Sequence, residues 1–391
     1  MPLEQISWWQ DVREYRRVAK NRKALREPGK GTDYTDERFR DVVNRVVARI
    51  HPKRMKLRVK EILPQTATAK TFCFERVDGP LPPFRAGQYV NVMVTVEGVR
   101  TSRPYSISSA PGAERLELTL RNKPEGFVAP YLFNTLKVGD VLDTTGPAGH
   151  FYYEPLIDGE DLVFLAGGSG ITPFMSMIRD ALERQRPLRI HLLYGCRMPE
   201  EVMFKGELEK LAANHPGFTF SPVISEPPDG YEGLKGFLDS TLMERLVGDV
   251  QGKTFYVCGP RVMHDFCVAA LKELKVPERK IRQELYGTPE DVSQEPGWPE
   301  GLSRDMVFEV EVAGKKMILA RAGEPLLNAL ERSGLVVPAL CRSGECSACR
   351  IRLLTGKVFV PSQAKVRESD RKAGYIHSCV SYPVGNLKVR I

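Results

Sequence analysis

Residues 340–350 read LCRSGECSACR. Cys341, Cys346 and Cys349 stand at a C-x4-C-x2-C spacing, and the next cysteine, Cys379, follows after 29 further residues. Thiols gathered in this way can clamp a metal, switch between redox states or fill a core. Eight cysteines in 391 residues are too sparse for a disulfide scaffold. The opening MPLEQISWWQDVREYRRVAK scatters charges among its apolar positions and has no secretory h-region, and no run approaches twenty apolar residues. A cytoplasmic protein with reduced thiols is expected, which favours metal ligation.

Structural zinc sites pair two short knuckles, whereas here three ligands share one loop and the fourth comes from afar. Two sulfide-bridged irons need two thiolates each, and the C-x4-C-x2-C…C pattern is that of a plant-type 2Fe-2S cluster. Ser343, Gly344, Ser347 and Ala348 keep the loop small enough for backbone N–H groups to reach the sulfides. The expected metal ligands are Cys341, Cys346, Cys349 and Cys379.

The charge of +8 is uneven. Residues 1–60 hold 17 Lys+Arg against 8 Asp+Glu, residues 304–391 hold 15 against 8, and the middle is acidic. That distribution, with no recognition motif beside it, argues against a nucleic-acid binder. Arg342 and Arg350 flank the cysteine loop, so a basic exit surface and a partner with an acidic docking face are expected.

Upstream, residues 1–50 read as a helical N-terminal extension. Trp8, Val12, Tyr15 and Ala19 form one stripe; Phe39, Val43, Val46 and Ile50 form a second behind a Thr35 cap. Trp8 and Trp9 could also support weak peripheral membrane association. Short alternating segments over 51–157 predict an antiparallel β-barrel. Strands at DLVFLAG, LRIHLLYG, FTFSPVIS and TFYVCG, with helices starting near Pro173, Glu200, Asp239 and Pro260, predict a doubly wound parallel α/β domain over 158–288. A loose linker, 289–303, precedes a compact unit over 304–391 with a hairpin turning at Ala313 and Gly314 and a short helix closed by Gly334.

Within the barrel, RPYSISS sets Arg103, Pro104, Tyr105 and Ser106 in one strand. Alternation puts Arg103 and Tyr105 on one face, as a cation for phosphate and a flat ring for an isoalloxazine require. GPAGHF (Gly146 to Phe151) closes the barrel. LAGGSGITPFMSM follows a strand and opens a helix, so Gly167, Gly168 and Gly170 allow a pyrophosphate close to the backbone, beside free N–H groups near Thr172 and Pro173. It is not the G-x-G-x-x-G fingerprint.

In this order, RPYS, GPAG, GGSGIT and YVCGP over residues 54–287 resemble the ferredoxin-NADP reductase superfamily, and residues 304–391 resemble a plant-type ferredoxin domain of β-grasp fold. The resemblance implies flavin contacts at Arg103, Pro104, Tyr105 and Ser106, a flavin-phosphate turn at Gly126, Phe127 and Val128, and further cofactor contacts at Gly146 and Gly149. It implies a nicotinamide-dinucleotide loop from Gly167 to Thr172 and Pro173, with Cys258, Gly259 and Pro260 beside the nicotinamide. Ser106 and Cys258 are the expected catalytic positions. Ala129 replaces a Ser or Thr common in relatives. FAD is expected over FMN. Arg197 and Lys205 stand among Glu200 and Glu201 without a tight phosphate clamp, so NADH is expected over NADPH.

The resulting expectation is a reductase that passes electrons from NAD(P)H through a flavin and a 2Fe-2S cluster to a partner metalloenzyme or carrier. A ferredoxin:NAD(P)+ reductase running the other way shares the cofactors. A redox-sensing adaptor would instead use the N-terminal extension to recruit a partner.

Overall fold

The computed structural model describes Arg16, Asn44 and residues 46–391. The chain divides into two units, Met1–Ile50 and His51–Ile391. The first is described only at Arg16, Asn44 and 46–50, all helical. The stripe through Trp8, the Thr35 cap and the Trp8–Trp9 pair lie outside the described residues. Among those described, no helix is long and apolar enough to cross a membrane.

Three large sheets and a two-stranded one build the second unit. The first contains β1 (Met55–Thr66), β2 (Ala69–Arg76), β3 (Tyr89–Val96), β4 (Val99–Ser106), β5 (Leu116–Arg121) and β6 (Val141–Thr144), ordered β4-β3-β6-β1-β2-β5 with antiparallel pairs throughout. Met55, Leu57 and Val59 are buried while Lys56, Arg58 and Lys60 are exposed, the period-two signature of a sheet with one dry face. A bridge from Ile107 to Leu118 joins the two edge strands into a barrel.

The second sheet is wholly parallel: β7 (Asp161–Gly167), β8 (Arg189–Cys196), β9 (Phe218–Ile224), β10 (Leu234–Lys235), β11 (Thr254–Cys258) and β12 (Ile281–Glu284), ordered β10-β9-β8-β7-β11-β12. β7 is buried almost end to end because helices cover both faces. The chain leaves β7 in one direction and returns on the other side as β11, which places a crevice at the carboxyl ends of these two strands. One helix begins at Ser240 with Asp239 capping it: Leu242 N donates to Asp239 Oδ1 at 2.7 Å. The helix expected near Glu200 starts instead at Lys205, because Phe204 takes a left-handed φ of 58° and only a short 3-10 turn spans Pro199–Glu201.

The third sheet holds β13 (Val307–Val312), β14 (Met317–Arg321), β15 (Arg350–Thr355), β17 (Tyr375–His377) and β19 (Leu387–Arg390), ordered β14-β13-β19-β15-β17; β16 (Val358–Phe359) pairs β18 (Tyr382–Pro383). The helix Leu326–Arg332 packs on it, followed by Gly334 at φ 76°. The stretch 289–303 is tied down more firmly than its Pro and Gly content suggests. Val292 is buried, Glu295 pairs with Arg261 at 2.8 Å, and the Trp298 ring lies edge-on to Phe359 at 5.2 Å.

Candidate functional site

A cavity of about 330 Å³ opens between the barrel and the C-terminal unit. β4 supplies Arg103, Pro104 and Tyr105, the turn after β5 supplies Gly126, Phe127, Val128 and Ala129, and the strand exit after β12 supplies Tyr286. The C-terminal unit supplies Asn328, Arg342 and Cys379. Arg103 Nη1 donates to Thr101 Oγ1 and to the Ser102 carbonyl, both at 2.8 Å. Burial pushes its guanidinium down to about 10, with Arg342 the next contributor, and it stays cationic at neutral pH. Two tyrosine faces for a flat ring and a cation for a phosphate fit a flavin nucleotide. Gly146 and Gly149 do not line this cavity. A Cβ on Gly146 would stand 2.1 Å from the Pro52 carbonyl oxygen, and one on Gly149 2.9 Å from the Tyr89 ring, so close packing accounts for both.

The glycine loop closes the crevice of the parallel sheet. A Cβ on Gly167 would meet Met263 Sδ at 2.0 Å, and one on Gly170 would meet the Cys258 carbonyl oxygen at 2.1 Å. The loops after β7 and β11 therefore press together, backbone on backbone. Thr172 Oγ1 donates to the Ser169 carbonyl at 2.8 Å, closing the turn from which the helix Ile171–Glu183 starts. These residues fit a dinucleotide phosphate. Burial raises the Cys258 thiol well above its ordinary range, so it sits here as a protonated, closely packed group.

Sequence reasoning missed two residues. Glu284 ends β12 in register with Cys258, and Tyr286 follows. The Tyr286 hydroxyl lies 2.7 Å from Ser106 Oγ, and Glu284 adjoins it. The only sequence signal was QELYGTP at a strand exit. Burial drives the Glu284 carboxyl up to about 8 from 4.5, with Glu345 and Cys341 adding to the rise against a hydrogen bond from Tyr286. Between those values the unfolded chain has released a proton that the folded chain keeps, so stability falls as pH rises through this window. Glu284→Gln is expected to flatten that fall. Thermal melting at several pH values checks it, and parallel curves for parent and variant would refute the retained proton.

The four thiols fall into two pairs: Cys341 with Cys346 on the cysteine loop, and Cys349 of that loop with Cys379 from beyond β17. Within each pair a hydrogen bond from the second thiol lowers the first. Ser343 N and Cys346 N both lie 3.4 Å from Cys341 Sγ. Gly344 takes φ 88°, and a Cβ there would stand 3.0 Å from Val380. His377, fully buried, bonds the Gly344 carbonyl through Nδ1 at 2.6 Å and Asp370 through Nε2 at 2.8 Å, bracing the loop. Two thiol pairs with amides turned toward sulfur fit a two-iron cluster. Arg342 corrects the expected exit surface. It is 6% exposed and turns inward to Glu331 and Thr101, which hold its guanidinium against the barrel while its backbone takes a φ of 54°. Arg350 stays exposed, against Asp370 and the Tyr375 ring.

A flavin cavity, a dinucleotide crevice and a thiolate cluster site in one body define a flavin- and iron–sulfur-dependent NAD(P)H oxidoreductase. Comparison with known proteins agrees. Residues 55–153 match the oxidoreductase FAD-binding domain, 164–269 the oxidoreductase NAD-binding domain and 310–384 the 2Fe-2S iron-sulfur cluster binding domain. The glycine betaine monooxygenase reductase subunit of Chromohalobacter salexigens is 28% identical over 352 residues, 86% of this chain and 95% of that protein. GcoB, the cytochrome P450 reductase of Amycolatopsis, is 30% identical with a TM-score of 0.54, over 60% of this chain and 70% of GcoB. Phthalate dioxygenase reductase, 20% identical, shares the fold over 86% of this chain and 98% of its own at a TM-score of 0.65. The chain belongs to the ferredoxin reductase-like flavoproteins that carry FAD-binding, NAD-binding and C-terminal 2Fe-2S domains in that order.

Proposed function

We propose that this chain is the NADH-oxidising reductase component of an oxygenase system and delivers single electrons to its partner from the C-terminal domain. The observation that carries the reading is that Cys379, a cluster cysteine, lines the same cavity as Tyr105. A flavin held there abuts a cluster ligand, which suits transfer inside one chain. A bound flavin would supply the conversion between a hydride's electron pair and single-electron transfer.

The protein's own residues hold and orient these groups. Arg103 and the turn Gly126–Val128 anchor the flavin phosphate, and Tyr105 packs on its ring. Gly167 to Pro173 seat the dinucleotide against Gly259 and Pro260. Cys258 and Ser106 flank the point where the two rings would meet, as packing and hydroxyl groups, and the Tyr286 hydroxyl bonds Ser106 there. Positioning of this kind is the main contribution a protein can make to hydride transfer.

The preference for NADH draws support from Glu201. Its carboxylate accepts from Arg121 at 3.1 Å and from Arg197 at 2.9 Å, so both cations near the glycine loop are already paired. A 2′-phosphate would meet that carboxylate. Glu201→Gln is expected to free the two guanidiniums and move the kcat/KM ratio toward NADPH by about tenfold, the factor that ~1.4 kcal/mol supplies. Steady-state cytochrome c reduction with each nucleotide tests both points. No NADH-driven reduction would overturn the function, and an unchanged ratio would overturn the role of Glu201. Among the exposed cations Lys365 and Lys372 pair with Glu345 and Glu368, and Arg367 and Arg371 beside them support an acceptor with an acidic docking face in the cytoplasm, to which transfer slows as salt rises.

A further inference from the structure

We propose that Arg342, on the loop that carries Cys341, is a second phosphate-binding guanidinium of the flavin cavity, so that the iron–sulfur loop itself completes the cofactor site. The inference rests on reading the cavity as the flavin site. Arg342 lines it beside Arg103 and Asn328.

The hydrogen bonds around Thr101 leave Arg342 incompletely used. The Thr101 hydroxyl donates to Glu331 Oε2 at 2.8 Å and accepts from Arg103 Nη1 at 2.8 Å and Arg342 Nη2 at 3.0 Å. Arg342 Nη2 also pairs with Glu331 Oε1. Arg342 Nη1 reaches only Asn328 Oδ1 at a long 3.5 Å, and the buried Nε has no partner. A buried N–H without an acceptor is costly, and native proteins leave few of them.

Charge points the same way. Thr101, Glu331 and Arg342 are 4%, 8% and 6% exposed, and this dry cluster sets two guanidiniums against one carboxylate. Lys123 on the opposite rim is already paired with Glu290. One cation is left in excess, and Arg342 adds to the downward push that burial gives the Arg103 guanidinium. A phosphate would satisfy the excess charge and the orphan N–H together. Arg342 holds a left-handed φ of 54°, which a non-glycine residue keeps only where its surroundings enforce it. Binding of the flavin and docking of the cluster loop then favour each other reciprocally.

Arg342→Ala alone would strand the Glu331 carboxylate, so the informative variant is the full-length pair Arg342→Met with Glu331→Gln, which leaves the cluster's net charge unchanged. Quenching of flavin fluorescence gives affinities for FAD, FMN and riboflavin, the last lacking phosphate. The pair is expected to bind FAD and FMN at least about tenfold more weakly, as loss of a charge-assisted hydrogen bond implies, and riboflavin as the parent does. Unchanged FAD affinity overturns the proposal, and so does an equal loss for riboflavin, which would mark a packing role. Arg103→Ala separates the two levels. If it too spares the preference for phosphate-bearing flavins, the cavity reading falls; if it alone abolishes that preference, only the role of Arg342 falls.

Discussion

Cys346→Ser is expected to cut NADH-driven cytochrome c reduction by more than about 100-fold while ferricyanide reduction by NADH continues near the parent rate. Outer-shell partners of a metal site already cost 10–100-fold when removed, so loss of a ligand should exceed that. Cys346 is the cleanest of the four positions. It is the least buried of the four, its backbone N–H serves Cys341 whatever the side chain, and unlike Cys379 it does not line the flavin cavity. Absorbance and electron paramagnetic resonance report the cluster, and bleaching of the flavin band reports hydride arrival. Cytochrome c turnover at the parent rate without a cluster signal would show that electrons leave directly from the flavin, and the proposed exit through the C-terminal domain would be wrong.

Parts of this arrangement were legible in the sequence because they depend on local spacing. Cys341, Cys346 and Cys349 announce themselves within one loop, and β1 and β7 declare a half-buried and a fully buried strand through their residue patterns. Glycine motifs told less. The same residue type marks Gly170, packed against the Cys258 carbonyl beside the proposed nucleotide crevice, and Gly146, packed against the Pro52 carbonyl away from the cavity that Tyr105 lines, and no local pattern separates them. Glu284 was invisible for a different reason. Its meaning comes from the register of β12 against β11, which sets it across from Cys258 and in reach of Glu345 on the cysteine loop. Arg342 was misread because a charge beside an exposed-looking loop ordinarily faces water. Thr101, some 240 positions earlier, and Glu331 decide its direction.

Gly170→Ala tests the nucleotide loop with the largest effect expected outside the cluster. An added methyl would sit 2.1 Å from the Cys258 carbonyl oxygen and 2.7 Å from Gly259 N, and both are backbone atoms that no rotamer change can move aside. The loops after β7 and β11 must separate, carrying with them the N–H groups of the dinucleotide turn and the packing of Cys258. Overpacking of this kind costs ~1–3 kcal/mol of stability, so the chain should fold with a lowered melting temperature. Hydride transfer suffers more, since a displacement near 1 Å can cost about 100-fold in rate. Stopped-flow reduction of the flavin by NADH is therefore expected to slow by about that factor. Electrons supplied by photoreduction should still reach the cluster and cytochrome c, because the flavin cavity and the cysteine loop lie outside the disturbed crevice. Gly206→Ala is the control: nothing lies within 4 Å of its would-be Cβ, and as a helical position it should gain up to about 1 kcal/mol without altering hydride transfer. If Gly170→Ala accepted hydride as fast as Gly206→Ala, the crevice between β7 and β11 would not be where the nicotinamide dinucleotide binds.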